Sequence, residues 1–335
     1  MSVGLALGKF APLHKGHQLV LDSATEHTDS QIFVIYDSPS STTIPLPIRA
    51  KWVQELYPQA EILLAWGGPE EVGLGTELKL AHEAFLKKVL AGRTVTHFFN
   101  SEDYGSHIAS SLNAVDVQVD PARSAVPISA TKLRSRPDLA AEYLHPRVLR
   151  DLITKIVFLG APSTGKSTIA AAAAKEFGTV FMPEYGREFW ERFSVQRRLT
   201  MSQLEEVAQE HIKREDALLK QCKSFLFIDT DASTTEVFAS YYHGYASPLL
   251  EQLSRESSTR YDLTFLCMND FPYADTEDRS GLVNQLDFQR RIVEQLRSQK
   301  RPYIELRGSI SERLVKIGQV LSQHSPFSNP ANWGA

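Results

Sequence analysis

The chain has 335 residues, of which 42% are hydrophobic and 23% charged, and its formal net charge is -4. This is the composition of a folded globular protein, which argues against disorder. The sequence has no block of Lys and Arg, so it gives no indication of a nucleic-acid partner. Because single cores stop growing at roughly 250 to 300 residues, the length predicts two domains.

The sequence indicates neither a signal peptide nor a membrane partner. The N-terminus has no basic region and no small-residue cleavage site, and no segment reaches the roughly 18 apolar residues of a membrane span. Cys222 and Cys267 lie outside any CxxC or Cys/His cluster and are interpreted as reduced. We therefore expect a cytoplasmic protein.

In the first half, short apolar runs alternate with helical patterns, which predicts a parallel, doubly wound sheet. The predicted strands are 3–7, 31–36, 61–65, 95–99 and 115–119, and the predicted helices are 16–26, 47–57 and 77–90. A helical stretch interrupted by Pro137 and Pro146 then leads to a new strand. We place the domain boundary near residue 150, giving domains 1–150 and 151–335.

The alternation starts again in the second half, which predicts a second α/β domain with a parallel sheet. The predicted strands are 156–159, 180–182, 225–228, 263–267 and 303–306, and the predicted helices are 166–177, 202–222, 234–242, 284–298 and 311–322. The fold class expected for the whole chain is therefore α/β with two domains.

The first candidate site follows the first strand, in the segment GKFAPLHKGH at residues 8–17. Gly8 allows the backbone to approach a phosphate, and His14 and His17, three residues apart at a helix start, project to one side. Transfer of a nucleotidyl group places negative charge on the oxygens of the α-phosphorus, which fixed donors stabilise without a covalent intermediate. The pair is therefore a candidate catalytic element, although a lone histidine is usually structural.

A second motif, ISATKLR at residues 128–134, accompanies the first. Ser129 is suited to cap a helix, and the Arg134 guanidinium is suited to grip terminal phosphates in a fork. An ordinary capped helix is the alternative.

Together the two motifs resemble those of the HxGH nucleotidyltransferase superfamily. The resemblance implies a Rossmann-like sheet, with the first motif at the α-phosphate of ATP and the second at the β- and γ-phosphates. The residues assigned to this ATP site are Gly8, Lys9, Phe10, His14, His17, Ser129, Thr131 and Arg134.

The second candidate site is the segment GAPSTGKST at residues 160–168, which fits GxxxxGK[ST] between an apolar strand and an alanine-rich helix. In a P-loop, backbone amides surround the phosphates, Lys166 neutralises the γ-phosphate and Ser167 ligates Mg²⁺. The residues assigned to this ATP site are Gly160, Ser163, Thr164, Gly165, Lys166, Ser167 and Thr168.

Acidic residues at strand ends complete the second site. Asp229 ends an apolar strand and is the candidate Walker-B ligand of Mg²⁺, while Asp231 is assigned to substrate binding or, alternatively, to capping the next helix. Glu184, Tyr185 and Arg187 follow another strand and are assigned to substrate binding, with a surface ion pair as the alternative for the charged residues.

The segment 269–281 is interpreted as a lid that carries Arg279 to the transferring phosphate, with a solvated loop as the alternative.

The combination of both motif sets in this order resembles the bifunctional NadR proteins. Four further segments carry the resemblance: 101–105, 119–123, 183–188 and 229–231. It implies that the second domain phosphorylates nicotinamide riboside with ATP to give nicotinamide mononucleotide (NMN). It further implies that the first domain joins NMN to AMP, which yields NAD and pyrophosphate.

The sequence leaves alternatives for the kinase base, the function and the oligomeric state. Either Asp229 or Glu184 is the candidate base of the kinase. A bifunctional coenzyme A synthase and a nucleotide-sensing regulator are the alternative functions, and a homo-oligomer is compatible with the sequence. Some NadR proteins carry an N-terminal helix-turn-helix that represses transcription; because the first strand is predicted to begin at Val3, we expect this form to lack it.

Overall fold

The computed structural model describes residues 1–69, 75–102, 105–193, 199–270, 282–324 and 327, with backbone only for 282–284. The chain forms two compact units, one containing Met1–Leu149 and the other beginning at Arg150. Within the described residues, every helix is too short or too polar to cross a bilayer.

The first unit has a central parallel sheet. Its strands are β1 (Val3–Gly8), β2 (Ser30–Tyr36), β3 (Glu61–Ala65), β4 (His97–Asn100) and β5 (Val115–Gln118). In the described part of the chain they form a five-stranded sheet in the order β3-β2-β1-β4-β5, and every pair is parallel. The apolar run of β2 is buried because helices cover both faces of such a sheet.

The helices of the first unit follow the strands in alternation. They are α1 (Lys15–His27), α2 (Leu46–Leu56), α3 (Thr76–Leu90), α4 (Gly105–Leu112), α5 (Ala130–Ser135), α6 (Ala140–Tyr143) and α7 (Pro146–Leu152), with a 3-10 turn at Pro137–Leu139 and with α7 running across the boundary between units.

The second unit has its own parallel sheet. Its strands are β6 (Thr154–Leu159), β7 (Phe181–Met182), β8 (Phe225–Asp229), β9 (Leu263–Cys267) and β10 (Ile304–Leu306). Among the described residues the order is β10-β9-β6-β8-β7. On the central strand β6, the Phe158 ring stacks with Phe227 and Phe265 at centroid distances of 6.1 and 5.7 Å, which ties three strands into one core.

Helices also alternate with the strands of the second unit. They are α8 (Lys166–Glu176), α9 (Tyr185–Phe193), α10 (Met201–Leu218), α11 (Ala232–His243), α12 (Pro248–Arg260), α13 (Leu282–Ser298) and α14 (Ile310–Gln323), with a 3-10 turn at Leu219–Gln221.

The α/β fold with two parallel sheets, predicted from the sequence, is confirmed. Three helices were not predicted: α4, α9 and α12. The start of α12 had a local signal, because Ser247 accepts a hydrogen bond from Leu250 N and Pro248 occupies the first helical position. The central strand of each sheet, β1 or β6, is also the first strand of its unit. Each leads directly to a motif segment, 8–17 or 160–168, at the carboxyl edge of the sheet.

Candidate active sites

His14 and His17 are locked together at the start of α1. His14 is the N-cap: its Nδ1 atom accepts a hydrogen bond from His17 N at 3.2 Å, and His17 Nδ1 accepts one from His14 N at 3.4 Å. The two rings stack with centroids 3.6 Å apart. A Cβ at Gly16 would lie 3.2 Å from the His14 ring, so glycine leaves room for this packing. The spacing of the motif is thus a reciprocal capping box built from imidazoles.

Both imidazoles are held neutral. Burial lowers the pKa of His14 to about 4, and the nearby Arg123 acts in the same direction. Burial, His14 and Arg123 hold the pKa of His17 well below its usual range. Since Nδ1 of each ring accepts from a backbone N–H, the proton of each neutral ring lies on Nε2. Each ring therefore offers an N–H donor without carrying a charge.

The second motif contacts the first directly. Ser129 caps α5, its Oγ atom accepting from Lys132 N at 3.1 Å. Arg134 donates from Nη1 to the carbonyl oxygen of Ala11 at 2.8 Å and from Nη2 to Thr131 Oγ1 at 3.1 Å. The two motifs therefore form one structural element, although they are far apart in the sequence.

A cavity of about 600 Å³ lies over this element, and every residue assigned to the first site lines it. Arg123 and Asn100 also line the cavity. Lys9 Nζ donates to Ser41 Oγ at 2.9 Å. The cavity thus combines cationic groups with two neutral imidazole donors, an arrangement that can bind and polarise a polyphosphate.

Arg49 supports the loop of the first motif and was not predicted. It is fully buried, and its guanidinium donates to the carbonyl oxygens of Lys9 at 2.6 Å, Tyr36 at 2.7 Å and Ile44 at 2.9 Å. Its Nη2 atom lies 3.8 Å from Asp37. A charged residue within the apolar pattern of α2 is the only local signal, and it does not identify the partners.

In the second unit, the P-loop joins β6 to α8. Gly160 has a φ of +143°, and a Cβ there would lie 2.6 Å from Cys267 O, so only glycine fits. Side chains far along the sequence hold the loop. Gln289 accepts from Ala161 N at 2.8 Å, Gln285 donates to Pro162 O at 2.8 Å, and Arg313 donates to Thr164 O at 2.8 Å.

Two P-loop side chains bond to the same carbonyl. Lys166 Nζ donates to Ala161 O at 3.0 Å, and Thr164 Oγ1 donates to it at 2.8 Å. A cavity of about 330 Å³ opens beside the loop, and Gly160, Ser163, Gly165, Lys166, Ser167 and Thr168 line it. Thr164 is fully buried and outside this lining, so its hydroxyl braces the loop.

Asp229, at the end of β8, is a buried carboxylate without a hydrogen-bond partner among the described residues. Burial raises its pKa to about 6, with the Glu184 carboxylate adding to the effect and Lys166 opposing it. Ser167 also lies close enough to lower the pKa. An unpaired carboxylate beside the P-loop serine is the donor set that Mg²⁺ prefers.

Asp231 lies within a network of internal bonds. Its carboxylate accepts from Ser233 N at 3.0 Å and Thr234 N at 3.3 Å, which caps α11. It also accepts from Arg301 Nη1 at 2.6 Å in a fully buried ion pair. The capping role, left open by the sequence, is thus present, and the residue also lines the cavity.

The remaining predicted residues are divided between the cavity and its surroundings. Glu184 and Arg187 line the cavity and form an ion pair at 3.5 Å. Tyr185 does not line the cavity within the described residues; its ring lies 3.9 Å below the Arg214 guanidinium. Arg279 lies outside the described residues, as does most of the predicted lid.

A buried polar network behind the cavity was not predicted. His211 lines the cavity, and its Nε2 atom lies 3.3 Å from Glu215 Oε1. Glu215 accepts from Tyr261 Oη at 2.7 Å and from Arg260 Nε at 2.8 Å. The partners lie 45 and 46 residues away in the sequence, so no local pattern could have identified the network.

Two curated relatives align with most of the chain. The trifunctional NAD biosynthesis/regulator protein NadR of Escherichia coli K12 is 28% identical over 318 residues, covering 88% of this chain and 76% of the relative. The protein of the same name from Salmonella typhimurium LT2 is 27% identical over 327 residues, covering 91% and 79%. The chain is similar to NadR along about nine-tenths of its length. Alignments of this length include residues of both units.

Solved structures of NadR proteins have a similar fold. A crystal structure of NadR in complex with NR has a TM-score of 0.55 at 19% identity, covering 96% of this chain and 95% of the other. A second, in complex with NAD and AMP-PNP, has a TM-score of 0.53 at 18% identity and the same coverage. A protein family described as an AAA domain matches residues 155–313.

Proposed function

We propose that this protein is a bifunctional enzyme of NAD salvage. The second unit phosphorylates nicotinamide riboside with ATP to give NMN, and the first unit transfers AMP from a second ATP to NMN, giving NAD and pyrophosphate. The proposal is supported by homology along about nine-tenths of the chain to proteins named for NAD biosynthesis.

The observation that carries the proposal is that both sets of motif residues come together in the folded chain. His14, His17, Ser129 and Arg134 line one cavity, in which neutral and cationic donors suit a triphosphate. Lys166, Ser167, Glu184 and Arg187 line the other, in which a P-loop faces an acid at the edge of the sheet. A kinase site and a nucleotidyltransferase site in one chain support consecutive steps on one substrate.

In the first unit, chemistry depends on positioning. As NMN attacks the α-phosphorus, the Nε2–H groups of His14 and His17 donate to the oxygens that gain charge. Arg134 and Thr131 hold the β- and γ-phosphates, so the leaving pyrophosphate is stabilised where it forms. Because both rings remain neutral, they act as fixed donors and require no proton transfer.

In the second unit, Lys166 neutralises negative charge on the phosphoryl group during its transfer. A bound Mg²⁺ would supply positive charge against the charge that develops on the phosphate oxygens. Ser167 and Asp229 are the residues that would hold it, since the unpaired Asp229 oxygens lie buried beside this hydroxyl. The described residues contain no cluster of three or more His, Cys, Asp or Glu side chains able to hold a metal, so phosphates and water would supply the other ligands.

Glu184 is the better placed of the two candidate bases. It lines the cavity in which an acceptor hydroxyl would lie, whereas Asp229 is fully buried. Arg187 forms an ion pair with Glu184 at 3.5 Å, and the carboxylate is the group that would accept the 5′-hydroxyl proton. We therefore assign the base to Glu184 and the metal to Asp229.

A substrate panel tests the proposal. The purified protein is incubated with Mg·ATP and either nicotinamide riboside, dephospho-coenzyme A or phosphopantetheine, and the products are identified by mass. We expect NMN and NAD from the first reaction only. Coenzyme A products would instead assign the same chemistry to another pathway, and the absence of product from every reaction would contradict an enzymatic role.

A further inference from the structure

Two buried glutamines of α13 hold one side of the P-loop. Gln285 and Gln289 are 2% and 7% exposed, and they lie about one helical turn apart, so their side chains project from the same face of the helix. Gln289 Oε1 accepts from Ala161 N at 2.8 Å, and Gln285 Nε2 donates to Pro162 O at 2.8 Å. The helix therefore bonds to two consecutive residues of the loop.

Gln289 uses both ends of its side-chain amide. Besides accepting from Ala161 N, it donates from Nε2 to Cys267 O at 3.3 Å. A Cβ at Gly160 would lie 2.6 Å from this same carbonyl oxygen, which therefore lies directly against the first residue of the loop. A side chain that can only donate or only accept cannot make both bonds. Gln289 thus connects the P-loop to the end of β9.

Lys166, the residue proposed to neutralise the transferring phosphate, bonds to the same segment of the loop. Its Nζ atom donates to Ala161 O at 3.0 Å, and Thr164 Oγ1 donates to the same oxygen at 2.8 Å. These two donors use both lone pairs of the carbonyl. An ammonium has three N–H groups, so Lys166 can keep this bond and still donate to a phosphate. The position of the Ala161 carbonyl therefore sets where the lysine head group lies.

The peptide that contains Ala161 O cannot be fixed through an amide hydrogen of its own. Its nitrogen belongs to Pro162, which has no N–H. Gln289 holds the preceding peptide at Ala161 N, and Gln285 holds the following peptide at Pro162 O. The two glutamines therefore fix the carbonyl from both sides.

Helix α13 is itself anchored away from the P-loop. The Phe288 ring packs against Phe238 and Tyr241 of α11, with centroid distances of 4.8 and 4.4 Å. Two turns further along α13, Gln295 Nε2 donates to Ser254 Oγ of α12 at 3.2 Å. Because these contacts fix the helix, its glutamines hold the loop from a fixed support.

We propose that Gln285 and Gln289 are positioning residues for phosphoryl transfer, an inference that rests on the proposed kinase activity. They hold the Ala161 carbonyl where it directs the Lys166 ammonium to the phosphate that is transferred. The described residues that line the cavity include neither glutamine, so the pair acts through Lys166 and not on the acceptor. The rate of transfer depends on them, whereas binding of the acceptor does not.

Gln289→Met and Gln285→Met test this role in the full-length protein. Methionine is unbranched and suits a helix, but it has no N–H to donate and only a weakly accepting sulfur. With Mg·ATP and nicotinamide riboside, we expect kcat of Gln289→Met to fall by about 10- to 100-fold, as when a catalytic group is slightly displaced. Gln285→Met loses one bond to the loop and should show a smaller fall. The KM for nicotinamide riboside should stay unchanged in both variants.

Gln295→Met is the matched control, because Gln295 lies on the same helix and bonds to α12 instead of the P-loop. It should lower the free energy of unfolding but leave kcat unchanged. A fall in kcat as large as that of Gln289→Met would show that any loosening of α13 slows the reaction, and would overturn the proposal. A folded Gln289→Met with wild-type kcat, or with a change confined to the KM for the riboside, would also overturn it.

Two further outcomes have their own tests. If Gln289→Met does not fold, Gln285→Met decides the question, because it leaves the contact of Gln289 with β9 intact. A wild-type protein that does not phosphorylate the riboside contradicts the proposed function. The glutamines are then tested by calorimetric titration with Mg·ATP, whose affinity should fall by about tenfold in Gln289→Met, as on loss of one hydrogen bond, and stay unchanged in Gln295→Met. Equal affinities in all three proteins would overturn the positioning role.

Discussion

Arg134 donates a hydrogen bond from Nη1 to the carbonyl oxygen of Ala11 at 2.8 Å, across a sequence separation of 123 residues. The bond joins the segment that follows β1 to helix α5. It places a planar cation beside the loop that leads to His14 and His17. The fork has further N–H groups, so the same guanidinium can brace the loop and bind phosphate.

Arg134→Lys tests the need for this fork. Lysine keeps the charge but cannot donate to Ala11 and Thr131 with the same planar geometry. We expect kcat/KM for adenylyl transfer to fall by about 10- to 100-fold, as on loss of a fixed donor, in a pyrophosphate-release assay. Arg136→Lys is the matched control, because Arg136 is exposed and pairs with Asp138. Equal effects of the two changes would show that the fork is not required.

The neutral histidines predict a simple pH profile for adenylyl transfer. Because the pKa of His14 is lowered to about 4 and that of His17 lies well below its usual range, neither titrates at pH 6 to 8. We expect the pH profile of kcat/KM to contain no transition near pH 6.5 that depends on His14. The profile of His14→Gln should therefore have the same shape as that of the wild-type protein. Below about pH 6.5 the unfolded chain binds protons on these two histidines, whereas the folded chain does not. The free energy of unfolding should therefore decrease as the pH falls. A limb near pH 6.5 that depends on His14 would contradict neutral donors.

Asp229→Asn should stabilise the protein while abolishing kinase activity. The folded-state pKa of Asp229 is raised to about 6 from 3.8, so its ionised form is unfavourable above pH 6 and the cost disappears as the pH falls toward 4. The amide should raise the free energy of unfolding by about 1–3 kcal/mol at pH 7.5, with the gain shrinking at lower pH. Denaturation at several pH values measures it. Asp287→Asn is the control, since salt bridges with Arg290 and Arg291 hold Asp287 in its charged form. If the free energy of unfolding gained in Asp229→Asn were independent of pH, burial of the charge would not be its cause.

The sequence predicted those features of the two sites that depend on residues close together in the chain. The chemistry of the P-loop and of the histidine pair depends on neighbouring residues at a helix start, so spacing and flanking patterns identify them. Asp229 was proposed as a metal ligand for a similar reason, because it ends an apolar strand. Local sequence did not distinguish the role of Asp229 from that of Glu184, because the distinction depends on which of the two lines the cavity.

The supporting residues could not be predicted because their partners are distant in the sequence. Arg313 reaches Thr164 across 149 residues, and Arg49 reaches Lys9 across 40. Asp231 had two local interpretations, and only the buried Arg301, 70 residues away, shows how its second oxygen is used. A helical pattern marks such arginines as polar, but not as the braces of a binding loop.

The most direct test of the account asks whether two separate sites act in sequence. Lys166→Ala and His17→Ala are each assayed with Mg·ATP and either nicotinamide riboside or NMN, with Lys175→Ala, at the end of α8, as the control. Lys166→Ala should lose NMN formation from the riboside but still convert supplied NMN to NAD. His17→Ala should accumulate NMN and form little NAD from either substrate. Loss of both activities in each variant, with the control intact and all three proteins folded, would contradict two independent sites.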